Sequence, residues 1–393
     1  MIMHTLLQRT PEEQLSDGYF HTLREILQQP STWLATCAQM LRASRDVQAI
    51  LDQAQTLILT GSGSSEYAGD CVRLTLQNEL GITAQVIGGG TLLTQGSRAL
   101  PPLRPAVIVS IARSGDSPES VGAVSLMLET EPQIRHLILT CNQNGGLAVR
   151  YRNHPKVRVI ALDDRTNDRS LVMTSSFTNM ALAARFCGLA HAPEEYSRIC
   201  ESLSRIGDRM LRTDLPNRLG NVARTGFRRA VFLGSDSQLG AVRESALKML
   251  EMTAGRVTTL CETYLGFRHG PMSYVHSDTL VVCFLSSDPL LRAYESDLLQ
   301  ELNRKELGML KVIAGENVPL DLAGEDDAII ECPGLAEAGD ENAPMIYVLV
   351  GQLLAFFRCL EEGLRPDSPS ETGVIRRVVE SFTLHRPEGQ LLP

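Results

Sequence analysis

The 393-residue sequence is short of positive charge: 37 Lys and Arg stand against 46 Asp and Glu, a formal net charge of −9 at pH 7. Sequence-independent nucleic-acid binding needs a basic face to neutralise phosphates, so that class is excluded. A small anionic ligand is not excluded, because local loops hold such a ligand whatever the net charge. The nine cysteines (37, 71, 141, 187, 200, 261, 283, 332 and 359) include no CxxC pair and no Cys/His cluster at zinc spacing. No metal site is therefore expected. Most of them sit in apolar runs, as Cys283 does in LVVCFL, where a free thiol packs as a small core residue. That is the pattern of a reducing compartment. The opening residues MIMHTLLQRTPEEQ lack a basic stretch followed by an apolar one, and no uninterrupted apolar run approaches the ~20 residues that span a membrane. A soluble, cytoplasmic protein with no membrane partner is expected. Nucleotide fingerprints are also missing: there is no GxxxxGK[ST], and GSGSSE (61–66) lacks the third glycine of GxGxxG.

What is present is a normal globular balance, 43% hydrophobic and 21% charged, in a chain long enough for two or three domains. A helical lead-in from about Gln14 to Ala54 gives way to apolar runs alternating with amphipathic stretches. TLILT (56–60), PAVIVSIA (105–112), HLILT (136–140) and VRVIAL (157–162) are short Val/Ile/Leu-rich strand candidates separated by helix-like segments. Continuous apolar strands of this kind indicate a parallel sheet covered on both faces. The pattern then recurs in RAVFLGSDSQLG (229–240) and DTLVVCFLSSDPL (278–290). Gly61 and Gly234 are 234 − 61 = 173 residues apart, as are Ser114 and Ser287 (287 − 114 = 173). A tandem duplication is expected, with its boundary near RTDLPNRLGN (212–221). The expected organisation is a lead-in over 1–48, α/β domains over 49–212 and 213–366, and a tail over 367–393.

Two loops of the first half leave a buried strand at its carboxyl end and enter a helix, where ligands bind in open α/β sheets. GSGSS offers Gly61 and the hydroxyls of Ser62, Ser64 and Ser65, and RSGDS offers Arg113, Ser114 and Ser117. Pro118 is well placed in a first helical turn. Hydroxyls and backbone N–H groups at helix N-termini suit a phosphate. Serine N-capping is the alternative for either loop alone. With a third cluster opening a helix, MTSSFTNM (173–180, with Thr174, Ser175 and Ser176), a phosphorylated small molecule is the better reading.

The second half carries acid–base residues. ESALKMLEMTAG (244–255) reads as a helix with Ala246, Leu247, Leu250 and Ala254 as its apolar stripe. Glu251 follows Leu250, Glu244 lies two turns earlier, and Lys248 falls between them. Glu262 comes next, then Arg268 and His269 in TYLGFRHGPMSYVH (263–276), between two strand-like segments. A solvated turn is the bland account of that loop; an imidazole aimed by a rigid Gly-Pro turn is the other. A carboxylate in a partly dry cleft can shuttle a proton between adjacent carbons, and a histidine can serve a sugar's ring oxygen.

Taken together and in order, LTGSGSSEYAGD, SIARSGDSPESV, MTSSFTNM, ESALKMLEMTAG, GFRHGP and TGVIRRVVESFTLH resemble the sugar isomerase (SIS) superfamily. They are most similar to its galactosamine-6-phosphate deaminase/isomerase branch, also labelled tagatose-6-phosphate ketose/aldose isomerase. The likeness runs from about Ile50 to His385. It implies two tandem SIS domains, each an α-β-α sandwich around a parallel sheet, in a homodimer or larger assembly. It also implies a phosphorylated amino-sugar substrate, with no metal or redox cofactor. The resemblance assigns phosphate binding to Ser62, Ser64, Ser114, Ser117 and Ser175, and the base to Glu251. It makes His269, contributed from the neighbouring subunit, the ring-opening group. Gly61, Ser65, Arg113, Thr174, Ser176, Lys248, Glu262 and Arg268 complete the expected substrate site, with the tail closing over it. Two departures bear on the reaction. No lysine follows Lys311, where glucosamine-6-phosphate synthase has a tail lysine that takes part in ring opening. Nothing resembles that relative's glutaminase domain either, so amine loss is expected rather than amine transfer from glutamine.

Overall fold

A computed structural model describes residues 2–380 and 382–385. The chain forms two compact units, each built on one sheet. Ser31–Asp168, Ser175–Cys200 and the described residues from Ile375 on make the first-sheet unit. The described residues up to Pro30, Arg169–Thr174 and Glu201–Val374 make the second-sheet unit. Residues 381 and 386–393, part of the expected tail, lie outside the described residues.

In the first-sheet unit, β1 (Thr56–Thr60), β2 (Thr83–Val86), β3 (Ala106–Ala112), β4 (Arg135–Thr140) and β5 (Val157–Ala161) form one parallel sheet in the order β2-β1-β3-β4-β5. The central strands β1 and β3 are buried at every position, which is why their sequences are continuously apolar instead of alternating. The helix Ser175–Leu189 is buried at every position but Gly188. Its polar residues are paired inside: Trp33 Nε1 donates to Thr178 Oγ1 at 2.9 Å, and Thr36 Oγ1 to Asn179 Oδ1 at 2.7 Å. Paired in this way, they avoid the desolvation penalty of a buried orphan.

In the second-sheet unit, β6 (Arg229–Leu233), β7 (Thr258–Glu262), β8 (Thr279–Phe284), β9 (Leu310–Gly315) and β10 (Ala328–Glu331) pair in parallel as β7-β6-β8-β9-β10. This is the order of the first sheet repeated. The starts of β1 and β6 differ by 229 − 56 = 173, and those of β3 and β8 by 279 − 106 = 173. The offset found between loops thus extends to the strands that precede them.

Pro344–Glu361 is the core helix of the second-sheet unit. It is long and apolar enough to cross a membrane, yet 89% of its most apolar window is buried inside the protein. It packs against the helix Leu239–Met252, and Gly351 permits the close approach: a Cβ there would fall 2.1 Å from Ser245 Oγ. This packing corrects the expected apolar stripe. Leu250 is 39% exposed and Ala254 is exposed, whereas Ala241, Ser245, Lys248 and Met252 are buried. Contact with a neighbouring helix backbone selects small residues on that face, and Leu250 is left outside.

Candidate active site

The loop after β1 turns at Gly61, where a side chain would collide with the following helix: a Cβ would lie 2.6 Å from the Ser65 carbonyl carbon and 2.8 Å from Glu66 N. Glycine therefore lets β1 run directly into the helix Ser64–Leu80. The Ser62 hydroxyl is buried and makes no hydrogen bond among the described residues. Ser64 and Ser65 are buried in the first helical turn.

The loop after β3 enters the helix Pro118–Thr130. Ser117 stands at its N-cap, but the side chain makes no capping bond and donates to Ser120 Oγ at 2.7 Å. Serine N-capping, the structural alternative for this loop, is not how Ser117 is used. Ser114 Oγ accepts from Asp116 N at 3.2 Å, and Asp116 Oδ1 accepts from Gly146 N at 2.7 Å, which fixes the loop against the next crossover. Arg113 is 8% exposed, and its guanidinium donates to the carbonyl of Arg377. Arg377 in turn donates to Asp168 O at 2.7 Å and Asn167 Oδ1 at 2.6 Å. A described part of the tail is thereby tied to the residue that opens the loop after β3. Burial pushes the nearby Cys141 thiol up to about 12, so it is no nucleophile at neutral pH.

The third serine cluster is held differently. Ser175 Oγ and Ser176 Oγ donate to Asp168 Oδ1 and Oδ2 at 2.9 and 2.5 Å, and Ser176 N donates to Asp168 Oδ2 at 2.9 Å. Both serines are 0% exposed, as is Thr174, whose carbonyl accepts from Gln352 Nε2 at 3.0 Å. Asp168 thus serves as the anion at this helix start, a role that MTSSFTNM alone does not reveal.

The second-sheet unit holds the candidate acid–base groups. On the helix Leu239–Met252, Glu244, Lys248 and Glu251 stand at i, i+4 and i+7, one row along a face. Lys248 Nζ is 3.3 Å from Glu244 Oε1 and is bonded directly to Glu251 Oε2. The side chains of Glu244 and Lys248 are 0% and 1% exposed, and that of Glu251 is 24% exposed. Burial opposes the ammonium charge, but the two carboxylates outweigh it and raise the Lys248 pKa. Lys248 therefore keeps its proton at neutral pH. Glu251 is the end of the row that reaches solvent, so the row presents a carboxyl group to solvent next to a fixed cation.

At the end of β7, Glu262 Oε1 accepts from Thr263 N at 2.8 Å, and Thr263 Oγ1 caps the short helix Tyr264–Phe267 through Gly266 N at 3.1 Å. Tyr264 anchors that helix to β8 by donating to Phe284 O at 2.9 Å. Phe267 is fully buried while Arg268 and His269 emerge exposed. Arg268 Nε pairs with Glu301 Oε2 at 2.9 Å. The His269 ring makes no hydrogen bond among the described residues. The expected site residues thus fall in two groups. Ser62, Ser64, Ser65, Arg113, Ser114 and Ser117 belong to the first-sheet unit; Lys248, Glu251, Glu262, Arg268 and His269 belong to the second.

Comparison with known proteins adds the family. The chain is 33% identical over 375 residues to the D-galactosamine-6-phosphate deaminase AgaS of Escherichia coli O157:H7, covering 93% of this chain and 95% of that one. It belongs to the AgaS family. The AgaS deaminase of Shewanella sp. (strain ANA-3) is 33% identical over 386 residues, covering 95% of this chain and 94% of its own. Among solved structures, the tagatose-6-phosphate ketose/aldose isomerase of Escherichia coli superposes with a TM-score of 0.82 at 32% identity, over 90% of this chain and 96% of that one. No family model matches the chain. The two tandem α/β sheets are therefore those of the SIS fold, in an AgaS family member.

Sequence reasoning missed Glu244 as the buried partner of Lys248 and Arg377 as the partner of Arg113. The i, i+4, i+7 spacing of Glu244, Lys248 and Glu251 was the available signal for the first. None existed for the second, whose partners are 264 residues apart.

Proposed function

We propose that this AgaS family member converts galactosamine 6-phosphate and water to tagatose 6-phosphate and ammonia. The Glu244–Lys248–Glu251 row carries the reading, because it provides a solvent-reaching carboxylate beside an ammonium that stays charged. The loops at Ser62, Ser64 and Ser114–Ser117, with Arg113, hold the phosphate. His269 takes and returns the proton that opens the pyranose ring. Glu251 then lifts the C2 proton of the open-chain aldehyde while O1 takes up a proton from water, leaving a 1-enol-2-amine; the proton on Glu251 returns at C1, and the proton that nitrogen later gives up goes back to water. The enol O–H remains as the C1 hydroxyl, the amine nitrogen loses one proton, and a C2 ketimine results. Water adds to C2, the C–N bond breaks, and ammonia leaves as the C2 ketone forms.

The ring of His269 is exposed and unpartnered within its own chain among the described residues, which fits the further proposal that it serves the site of a second subunit. The working unit is then a homodimer or a larger homo-oligomer. Nine free cysteines, eight of them buried, suit a cytoplasmic location.

Plain aldose–ketose isomerisation without deamination is the second reading, favoured by the name of the Escherichia coli structure. Ammonia and ketose measured in one reaction separate the two. Equal amounts of both from galactosamine 6-phosphate support deamination; turnover of an unaminated hexose phosphate with no ammonia from the amino sugar would overturn it. In the Glu251→Gln variant turnover should fall by about 10²–10⁴-fold, the usual share of a general base.

A further inference from the structure

The duplicated sheet has a second crevice where its strand order reverses, between the carboxyl ends of β6 and β8, and it is already filled. Two carboxylates of the same unit occupy it. Glu295 accepts from Ser235 Oγ at 2.7 Å, Ser286 N at 2.7 Å and Ser286 Oγ at 2.6 Å, tying the β6 loop to the β8 loop. Asp340 accepts from Ser287 N at 2.7 Å through Oδ1 and from Asp288 N at 2.9 Å through Oδ2. These two N–H groups lie at the start of the 16-residue helix Pro289–Arg304. Ser287, the 173-residue counterpart of Ser114, also keeps a buried hydroxyl with no partner among the described residues. In the loop after β3, by contrast, the N–H groups of Ser114, Gly115 and Ser117 donate to no other group among the described residues.

We propose that Asp340 is an internal anion that holds the second copy of the phosphate loop closed, so that the chain carries one phosphate-monoester site and not two. A carboxylate offers the same acceptor oxygens as a phosphate to adjacent N–H donors at a helix start, and it arrives covalently attached, at high effective concentration. Arg292 supplies a cation at the same loop, its Nε donating to Ser286 O at 2.5 Å. Removing Asp340 leaves the N–H groups of Ser287 and Asp288 and the free Ser287 hydroxyl open to an anion, with the Asp288 carboxylate still capping Leu290 N and Leu291 N and Arg292 still held by the carbonyls of Ser286, Glu316 and Asn317. Glu295 stays fully engaged by the serines.

The inference rests on reading the loop after β3 as the working phosphate site, and the experiment separates the two claims. Inorganic phosphate bound per chain is counted by equilibrium dialysis for the wild type, Asp340→Ala, Ser114→Ala and the double variant, with melting temperatures recorded with and without phosphate. Asp340→Ala should bind a second phosphate and should regain with phosphate the thermal stability it lost, while the wild type binds one. The double variant should keep the site opened by Asp340→Ala. If Asp340→Ala does not fold, Asp340→Ser, which restores a small hydroxyl acceptor, is measured in its place. Should neither variant bind more phosphate than the wild type, the inference is overturned, whatever Ser114→Ala does. Should Ser114→Ala leave the wild-type site unaffected while Asp340→Ala adds one, the inference stands and the assignment of the first loop fails.

Discussion

His136 provides a test of the first-sheet unit that needs no ligand. It lies on β4 and is 0% exposed, and neither ring nitrogen has a hydrogen-bond partner among the described residues. Burial, with a smaller effect from His154, lowers its pKa from 6.5 to about 4. The neutral ring is thus favoured by folding, and the unfolded chain takes up the proton first. The associated stability is complete above pH 6.5 and is lost progressively as pH falls towards 4. Across the whole window the loss is about 3 kcal/mol, at 1.36 kcal/mol per pKa unit. Between pH 7.5 and pH 5.0 it is about 2 kcal/mol by the same linkage. Urea unfolding of the wild type and His136→Leu at both pH values checks this. Groups common to the two proteins cancel, so the stability difference should shift by about 2 kcal/mol in favour of the variant on acidification. A difference that stays constant within the error of extrapolation would refute the reasoning, because it would mean that His136 titrates alike in the folded and unfolded chain.

Gly351→Ala drives a methyl group into Ser245 and should cost about 1–3 kcal/mol by urea unfolding, with part recovered by adding Ser245→Gly. Lys248→Met removes the ammonium between two carboxyl groups and leaves Glu244 buried without its cation, a loss of about 3–5 kcal/mol for one half of a buried pair. Adding Glu244→Gln should restore stability without restoring turnover. Glu251→Gln and His269→Asn should each be nearly inactive alone. If His269 serves the partner's site, mixing the two under subunit exchange should recover about a quarter of wild-type activity, since half the dimers are mixed and each has one intact site of two. No recovery, with exchange shown independently, would return His269 to its own subunit.

Most of the strands legible in the sequence were buried on both faces; β5, an edge strand with Arg158 exposed, was legible from its Val/Ile content alone. TLILT, PAVIVSIA, HLILT and VRVIAL coincide with β1, β3, β4 and β5 to within a residue. The strands that went unread have specific reasons. β2 (TAQV) and β10 (AIIE) are four-residue edge strands, half exposed, and too short to set a period. β9 is buried at every position, but Lys311 interrupts its apolar run; that lysine is accommodated by Asp327, 2.5 Å from its ammonium. At the candidate site, sequence placed the residues and missed their commitments. MTSSFTNM and RSGDS look alike as serine-rich helix starts, yet Asp168 satisfies the serines of the first, while Ser117 in the second makes no cap. A carboxylate arriving from elsewhere in the chain decides between them, and no local pattern announces it.

The same rule applies to the duplication as a whole. A sugar phosphate has one anionic end and one reactive end, and these ask for opposite environments. The anion needs N–H groups, hydroxyls and a cation, which the loops of the first sheet carry in Ser62, Arg113, Ser114 and Ser117. Proton transfer at carbon needs carboxylates, and the second-sheet unit carries them along one helix as Glu244 and Glu251, on either side of Lys248. In a duplicated fold, two equal phosphate loops would serve the anionic end twice and the reactive end not at all. On the proposed reading, filling the second crevice with Glu295 and Asp340 would close the superfluous loop at the cost of two desolvated carboxylates, each stabilised by hydrogen bonds from the loop that it fills. On the proposed reading, divergence of the two copies came less from reshaping the strands than from placing carboxylates. On that reading the strands kept their order, with β1/β6 and β3/β8 at an offset of 173 residues, and the acidic residues after β6 would determine which copy can still take a phosphate.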